Sequence, residues 1–274
     1  MTRKKYGLID INGGFGNQLF QYSFANFLKL NGLQIRINTN WYSEINKFPR
    51  EQIFYPEFYG FKKANKSVLK YYEILSKKKG EKYYFEKFND SIDTVNFKKF
   101  NRFIGYWQDL DYLKLSKQFL ISKLEQNEHI KNGMDFLPEN NNVLIHVRRG
   151  DYLLAKKIID DSYFENAIQR IKNNIEYPKF NVFTDDKEWV KSSPIFKNVE
   201  NIYSSSSSKE DTISTFSKML KNKHFIISNS TYSYLAAYFK SDSDSIVTIP
   251  EPWMPNNAKT YNIYPKNWLK IKNN

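Results

Sequence analysis

The chain contains 274 residues, of which 41% are hydrophobic and 17% aromatic, so it has enough apolar side chains for a folded core and is not a disordered chain. It lacks cysteine, which excludes a disulfide framework, a thiolate nucleophile and a cysteine zinc site. The formal net charge of +13 fits a lysine-rich solvated surface and leaves contact with polyanions or an anionic membrane open. No apolar run resembles a signal peptide or a membrane span, so we expect a cytoplasmic protein, soluble or peripheral at the inner face of the membrane.

The first predicted unit combines a strand, a glycine-rich turn and a helix. The strand covers residues 6–11 and the turn residues 12–17, and apolar residues then recur at helical spacing over residues 19–28. Glycines allow the backbone to approach a ligand, and the free N–H groups of a first helical turn form an anion site. The turn matches neither the dinucleotide-binding nor the Walker pattern, so the residues alone leave a ligand site and a plain tight turn equally open. A second strand is predicted at residues 34–38.

The hydrophobic pattern weakens between residues 40 and 99. Aromatic residues are scattered among prolines and lysines there, which favours packing beneath long loops over an acceptor-binding surface. A strand is predicted at residues 100–107 and a helix at residues 109–129. Residues 132–142 contain a glycine, a proline and three consecutive asparagines, which predict a linker, and we place the domain boundary after residue 140.

The strongest chemical signal lies at the end of a buried strand in the middle of the chain. Residues 143–147 form a short apolar run that contains His146, and the run is followed by Arg148, Arg149 and Asp151. Ligands of open α/β sheets bind beyond the carboxyl ends of the strands, and arginine offers phosphate paired, charge-assisted hydrogen bonds. We therefore favour a phosphate-binding site over the alternative, an arginine–aspartate salt bridge that closes a turn.

Strands and helices alternate regularly after that strand. Predicted helices cover residues 162–175, 186–192, 212–221 and 231–239. Predicted strands cover residues 180–184, 199–203, 224–228 and 245–249. Such alternation implies a parallel, doubly wound sheet with right-handed crossovers, so these strands end at one common edge.

Two further groups of polar residues are expected at that edge. Asp185 follows one strand, where it either accepts a hydrogen bond from a ribose or base or caps the next helix. Asn229, Ser230 and Thr231 follow another strand and open a helix, where they either hold a phosphate or act as a plain cap. The carboxylates have no third ligand at suitable spacing, so no metal site is predicted.

Six sequence blocks, read together, carry a family resemblance. They are GGFGNQLFQYSFA at residues 13–25, GYWQ at 105–108, HVRRGDY at 146–152, FTDDKEW at 183–189, HFIISNSTYSY at 224–234 and PEPW at 250–253. Their types and order resemble those of the family 11 glycosyltransferases, which are inverting and typically bacterial α-1,2-fucosyltransferases. The first and third blocks are the most specific in combination, and together the blocks extend over nearly the whole chain.

The resemblance implies an α/β fold of the GT-B type, in which two Rossmann-like domains with parallel sheets flank a cleft. Residues 1–140 would form the N-terminal domain, with the glycine-rich turn and the acceptor side, and residues 141–274 the C-terminal domain that binds GDP-β-L-fucose. The implied reaction moves L-fucose with inversion to a hydroxyl of an oligosaccharide, foremost O2 of a terminal galactose, as in lipopolysaccharide O-antigen or other surface-glycan synthesis. The acceptor would be a galactose-terminated or lipid-linked glycan, and no metal or other cofactor is implied.

The resemblance also assigns roles to individual residues. Arg148 would grip the diphosphate and offset the charge on the departing GDP, and Asn17 would contact the diphosphate or the sugar. Asp151 would either act as general base for the acceptor hydroxyl or orient the arginines beside it. The other implied donor contacts are Gly14, Phe15, Gly16, Gln18, His146, Arg149, Asp185, Asn229, Ser230 and Thr231.

Two alternative functions stay open at this stage. Basic residues at strand ends do not by themselves select a fucose donor, so a glycosyltransferase that uses another nucleotide sugar fits them as well. A basic RNA-binding protein would fit the charge of +13 with 20 Tyr and 22 Phe, but the aromatic residues are dispersed and no RNA-binding motif is present. We therefore expect a nucleotide sugar as partner and no nucleic acid.

Overall fold

The computed structural model describes residues 4–43, 50–77, 83–85, 99–204, 206, 208–254 and 262–273. The chain forms two compact units, of which the first comprises Met1–Lys123 and Lys259–Ile263 and the second Leu124–Ala258 and Tyr264–Asn274. Each unit has its own parallel sheet. The expected α/β class with two Rossmann-like parallel sheets is therefore confirmed.

The first unit is built on a five-stranded sheet. Its strands and helices are β1 Lys5–Asp10, α1 Phe15–Leu30, β2 Leu33–Asn38, β3 Lys62–Lys63, α2 Lys66–Lys77, β4 Tyr83–Phe85, β5 Phe100–Ile104 and α3 Leu110–Leu124. The strand order is β3-β2-β1-β5-β4, and all adjacent pairs are parallel. Because the order reverses between β1 and β5, the glycine-rich turn after β1 and the GYWQ block after β5 meet at the switch point of the sheet.

The second unit has a six-stranded parallel sheet. Its elements are α4 Glu128–Asp135, β6 Asn142–Val147, α5 Gly150–Leu154, α6 Asp161–Lys172, β7 Lys179–Thr184, α7 Lys187–Ser192, β8 Asn201–Ser204, α8 Lys209–Met219, β9 His224–Ile226, α9 Thr231–Lys240, β10 Val247–Glu251 and β11 Leu269–Lys272. The order β11-β10-β9-β6-β7-β8 is that of the Rossmann fold, in which the switch point lies between the first and fourth strands. Here these strands are β6 and β9, so the residues after them share one crevice.

Apolar side chains hold each sheet between helices. In the first unit α1 is almost wholly buried, including Leu19 and Phe24, because it lies between the sheet and the aromatic residues of neighbouring segments. In the second unit β6 contributes Val143 and Ile145 to a core that also contains Phe164 of α6. Continuous apolar runs such as that of β6 are expected for strands with both faces covered.

Two sequence predictions about the middle of the chain are wrong. The single helix expected at residues 109–129 is two helices, α3 and α4, because Asn127 caps a new helix by accepting a hydrogen bond from the Ile130 N–H at 3.2 Å. The chain also divides after Lys123, ahead of the boundary expected at residue 140. The reason is that α4 is tied to α8 of the second unit, where Ser217 Oγ donates to the His129 carbonyl at 2.5 Å.

Some elements were not predicted from the sequence. They include helix α2, which lies in the region interpreted as loops, the short helix α5 and the edge strand β11. α5 and β11 have only five and four residues, too few for a periodic hydrophobic pattern. Among the described residues, none of the helices is both long and apolar enough to cross a bilayer.

Candidate active site

Arg148 lies directly after β6, where two carboxylates hold its guanidinium. Its Nη2 donates to Asp151 Oδ1 at 2.5 Å and its Nη1 lies 2.8 Å from Asp185 Oδ2. The Arg148 side chain is 22% exposed, so it is half-buried and still reaches solvent. The ion pair considered as the alternative to a phosphate site is therefore present, and it fixes the arginine at the edge of the sheet.

Arg149 is committed to the fold in a different direction. Its Nε donates to Asp186 Oδ2 at 3.2 Å, and its guanidinium carbon lies 3.9 Å from the centre of the Trp189 ring. The planar guanidinium of arginine can stack on an aromatic ring and form an ion pair with a carboxylate at the same time. In the free protein Arg149 therefore contacts Asp186 and α7, and its expected contact with the donor stays a prediction.

Asp185 is the residue that joins the ends of β6 and β7. Its Oδ1 accepts from the Arg149 backbone N–H at 2.8 Å while its Oδ2 pairs with Arg148. A Cβ at Gly150 would lie 2.6 Å from that Oδ2, so a larger residue there would displace the Asp185 carboxylate. Both carboxylate oxygens are engaged, and Asp185 therefore positions Arg148. Its expected contact with a ribose or base stays a prediction.

His146 is buried at the switch point between β6 and β9. Its Nδ1 lies 2.8 Å from Ser233 Oγ and 2.9 Å from Ser228 Oγ. Burial, aided by the nearby Arg148 charge, lowers the pKa of His146 to about 3, although Asp185 acts in the opposite direction. The imidazole is therefore neutral near pH 7, and it joins β6 to the loop after β9 and to α9.

The residues after β9 place one unsatisfied acceptor at this edge. Asn229 is buried, and its Nδ2 donates to the Lys157 carbonyl at 2.9 Å, but its Oδ1 has no hydrogen-bond partner among the described residues. Ser230 is the N-cap of α9, yet its side chain makes no capping hydrogen bond. Together with Thr231 these residues surround the N-terminus of a ten-residue helix, where backbone N–H groups and the helix dipole favour an anion.

Tyr152 connects the two strand ends and was not predicted as a site residue. The Arg148 guanidinium carbon lies 5.5 Å from the centre of its ring, and its hydroxyl donates to the Asn229 carbonyl at 3.3 Å. Its place at the end of HVRRGDY was the available signal. Ser228 and Ser233 gave no signal, because serine at a strand end or in a helix is common.

The charges at this edge nearly cancel one another. Arg148 and Arg149 face three carboxylates, those of Asp151, Asp185 and Asp186. A diphosphate therefore gains attraction only where it replaces a carboxylate on a guanidinium, or where it lies at the N-terminus of α9. Asp151 has its Oδ1 engaged by Arg148, which favours the orienting role over that of general base.

The glycine-rich turn forms the switch point of the first unit. Gly13 has a φ of +78°, and its carbonyl accepts from the Tyr42 hydroxyl at 3.0 Å. Gly14 follows as the N-cap of α1. Asn17 is half-buried in the first turn of α1, and its Oδ1 accepts from Gln108 Nε2 at 3.0 Å. The turn and the GYWQ block are thus hydrogen-bonded, as the topology of the sheet requires.

Two buried glutamines explain why the turn keeps its shape. Gln18 donates to the carbonyls of Gly13 and Glu51 at 3.2 and 2.9 Å and accepts from the Ile53 N–H at 3.0 Å. Gln21 accepts from the Asn12 N–H at 3.1 Å and donates to the Gly105 carbonyl at 2.9 Å. The hydrogen bonds of Gln18 tie the turn to another loop instead of facing a ligand, and the sequence analysis missed Gln21.

Phe15 and Gly16 are also part of the framework. Both are buried, and the ring of Phe15 packs edge-on against Phe54 with centroids 6.0 Å apart. Their expected contact with the donor is therefore limited to what their backbone N–H groups in the first turn of α1 can offer.

No three His, Cys, Asp or Glu side chains in the described ranges are grouped so that they could hold a metal ion. The acidic residues beside Arg148 are instead paired with guanidinium groups. Metal-independent activity stays a prediction that a chelator tests.

Comparisons with known proteins agree along the length of the chain. Residues 1–272 match the sequence model described as Glycosyl transferase family 11. The chain is 25% identical to a protein of Escherichia coli named Alpha-1,2-colitosyltransferase, over 95% of this chain and 97% of that protein. It is 26% identical to the O-antigen biosynthesis glycosyltransferase WbnK of Escherichia coli, over 95% of this chain and 99% of that protein. Among solved structures, the α-1,6-fucosyltransferase NodZ soaked with GDP-fucose is 13% identical with a TM-score of 0.47, covering 87% of this chain and 93% of NodZ.

Proposed function

Because this chain belongs to glycosyl transferase family 11, we propose that it transfers L-fucose from GDP-β-L-fucose to a hydroxyl of an oligosaccharide. The proposed acceptor position is O2 of a terminal galactose in a surface glycan. The α-1,2 linkage in the name of one relative and the O-antigen role in the name of the other support this choice. The proposed activity is thus that of a galactoside α-1,2-fucosyltransferase.

One observation carries the donor assignment. The strand order of the second unit brings Arg148, after β6, and the N-terminus of α9, after β9, to the same switch point. Asn229 adds a buried acceptor without a partner among the described residues. A nucleoside diphosphate sugar offers phosphate oxygens to the N-terminus of α9 and, in place of Asp151, to Arg148, and it offers hydroxyl or amine donors to Asn229.

Arg148 has the central role in the proposed reaction. A phosphate oxygen of GDP takes the place of Asp151 on the guanidinium, while Asp185 continues to hold the other side of the group. As the bond from the anomeric carbon to the phosphate oxygen breaks, negative charge grows on GDP, and a preorganised arginine stabilises that charge. Attack of the acceptor hydroxyl from the opposite face gives inversion at the anomeric carbon.

The proposed general base is Asp151. Asp151 is freed from Arg148 when the diphosphate binds, and its carboxylate can then accept the proton of the acceptor hydroxyl. His146 is a weaker candidate, because it is buried and its pKa is lowered to about 3. Asp151 is accordingly an orienting group in the free protein and the proposed base in the ternary complex.

A second donor is favoured by one comparison. Colitose is the 3-deoxy form of L-fucose, and one relative is named as a colitosyltransferase. The site must distinguish the two sugars by a single hydroxyl, which a hydrogen-bonding group in the site can do strongly and an apolar pocket only weakly. GDP-fucose and GDP-colitose therefore belong in the same assay.

Thermal stabilisation by nucleotides tests the donor assignment first. Purified protein is heated with GDP, UDP, GDP-fucose, GDP-colitose or GDP-mannose, with and without EDTA. A ligand at about 100 times its Kd adds about 2.7 kcal/mol of stability, which raises Tm measurably. We expect a shift that is selective for GDP nucleotides and insensitive to EDTA.

Arg148→Ala links that shift to transfer. We expect the variant to keep the Tm of the free protein and to lose transfer by about 10² to 10³ or more, since one preorganised charge is removed from the transition state. Arg170→Ala is the matched control, because Arg170 is exposed on α6. Full transfer by Arg148→Ala, or stabilisation by UDP and not GDP, would contradict the proposal.

A further inference from the structure

The last two residues of α5 are leucines that are exposed to solvent. None of the residues of α5 is buried, and the side chains of Leu153 and Leu154 are 43% and 71% exposed. Packing within the unit therefore does not explain an apolar pair at this place. Adjacent exposed apolar residues bordered by polar ones are typical of contact sites for proteins or membranes.

Two lysines follow the leucines after a single alanine. Lys156 has a φ of +52° and reverses the chain after α5, and both Lys156 and Lys157 are exposed. Residues 153–157, here named the α5 tip, thus present Leu-Leu-Ala-Lys-Lys on one short projection. Apolar side chains beside ammonium groups match the boundary between acyl chains and headgroups of a bilayer.

The α5 tip is also directly connected to the proposed donor site. Asp151 in the first turn of α5 is bonded to Arg148, so only two residues separate this contact from Leu154. Whatever the α5 tip contacts is thereby held close to the edge where Arg148 lies. An acceptor carried on a lipid would be presented to the enzyme at that surface.

We propose that the α5 tip docks on the surface of an anionic lipid bilayer. Leu153 and Leu154 enter the boundary of the acyl chains, and Lys156 and Lys157 contact lipid phosphates. The charge complementarity between these lysines and an anionic leaflet selects a membrane over an uncharged partner. The proposal concerns the surface of the second unit and does not depend on the donor nucleotide.

Vesicle sedimentation tests the proposal with matched variants. Protein is mixed with vesicles of phosphatidylglycerol and phosphatidylcholine or of phosphatidylcholine alone, without any nucleotide. Leu153→Ser with Leu154→Ser, and Lys156→Glu with Lys157→Glu, are compared with two controls. The controls are Leu137→Ser, at a leucine that is 89% exposed, and Lys62→Glu with Lys63→Glu, at an exposed lysine pair on the first unit.

We expect the wild type to bind the anionic vesicles and not pure phosphatidylcholine. Each α5 tip variant should lower the partition coefficient by about tenfold or more, since one lysine near an anionic surface accounts for roughly fivefold. Both controls should change it by less than about twofold, and all variants should keep their Tm. Wild-type protein that stays in solution, or tip variants that bind like the controls, would overturn the proposal. A concentration-dependent dimer that the tip variants abolish would assign the surface to a second copy of the chain instead.

Discussion

The Nη1 atom of Arg148 lies 2.8 Å from Oδ2 of Asp185, which directly follows the neighbouring strand β7. The other oxygen of Asp185 accepts from the Arg149 backbone N–H. One carboxylate therefore fixes both the backbone and the side chain of the arginine segment. A free arginine side chain has many rotamers, and ordering it costs conformational entropy. Because Asp185 already orders Arg148, less of this entropy is lost when a diphosphate binds.

Asp185→Asn should lower kcat while leaving KM for the donor largely unchanged. The amide oxygen can still accept from Arg149, but the ion pair with Arg148 is lost, so we expect kcat to fall about 10- to 100-fold through misplacement of the guanidinium. Steady-state transfer kinetics provide the measurement. Asp161→Asn, at an exposed position in the first turn of α6, is the control. Unchanged kcat in Asp185→Asn would show that Arg148 is positioned without it.

Asn17→Ala should reduce transfer without removing GDP-induced stabilisation. Asn17 lies in the first unit, whereas the proposed nucleotide contacts lie in the second, so the Tm shift with GDP should persist while transfer falls by about 10² or more. Gln108→Ala is the matched variant, because it removes the hydrogen bond to Asn17 Oδ1 and leaves Asn17 itself in place. Equal losses in the two variants would indicate that Asn17 acts only through the shape of the turn.

Gln21→Leu should destabilise the first unit. The substitution leaves the Asn12 N–H and the Gly105 carbonyl without their partner, and each buried group costs about 1 to 3 kcal/mol. Urea unfolding should therefore show a loss of about 2 to 5 kcal/mol. Gln169→Leu on the exposed face of α6 should change stability by less than about 0.5 kcal/mol. Similar values for the two variants would contradict the framework role of Gln21.

His146 should make the free energy of unfolding depend on pH. Its pKa is about 3 in the folded protein and about 6.5 when unfolded, so between these values the unfolded chain binds more protons. Stability should therefore fall as pH decreases from about 6.5, by at most about 1.4 kcal/mol per pH unit from this group. Unfolding titrations from pH 7 to pH 5 should show a smaller slope in His146→Asn.

His224 provides the comparison for that experiment. Its pKa is lowered mainly by burial, and it contributes in the same direction in both the wild type and His146→Asn. A slope that does not change in His146→Asn would show that the imidazole is protonated without cost in the folded protein.

Local pattern was sufficient for the elements and for much of the candidate site. The apolar run of β6 and the helical spacing of α1 predicted both elements, because a strand or helix in a core must bury the same face at every turn. Alternation of such elements predicted parallel sheets, and parallel sheets place strand ends at one edge. Arg148 and the residues around Ser230 were predicted in this way, whereas the role of Asn17 was implied by the resemblance to the family 11 glycosyltransferases.

Partners across strands could not be obtained from the same pattern. The pattern predicted Asp185 as a nucleotide contact and gave no role to Ser233. The strand order brings Asp185 into contact with Arg148 and Ser233 into contact with His146. Gln18 and Gln21 share the face of α1 with apolar residues, and only the neighbouring loops show that their amides are bonded within the fold.

The sequence alone determined most of the strands and helices, because burial leaves a regular spacing of apolar side chains in each long element. It also determined that arginines and a glycine-rich turn lie at strand ends. Only the tertiary structure decided that Asp185 holds Arg148 and that Asp186 holds Arg149, since these pairs depend on the order of strands in the sheet and join groups far apart in the chain at 2.8 and 3.2 Å. A hydrogen-bonded ion pair needs close and aligned partners, so it follows from the packed arrangement and not from composition.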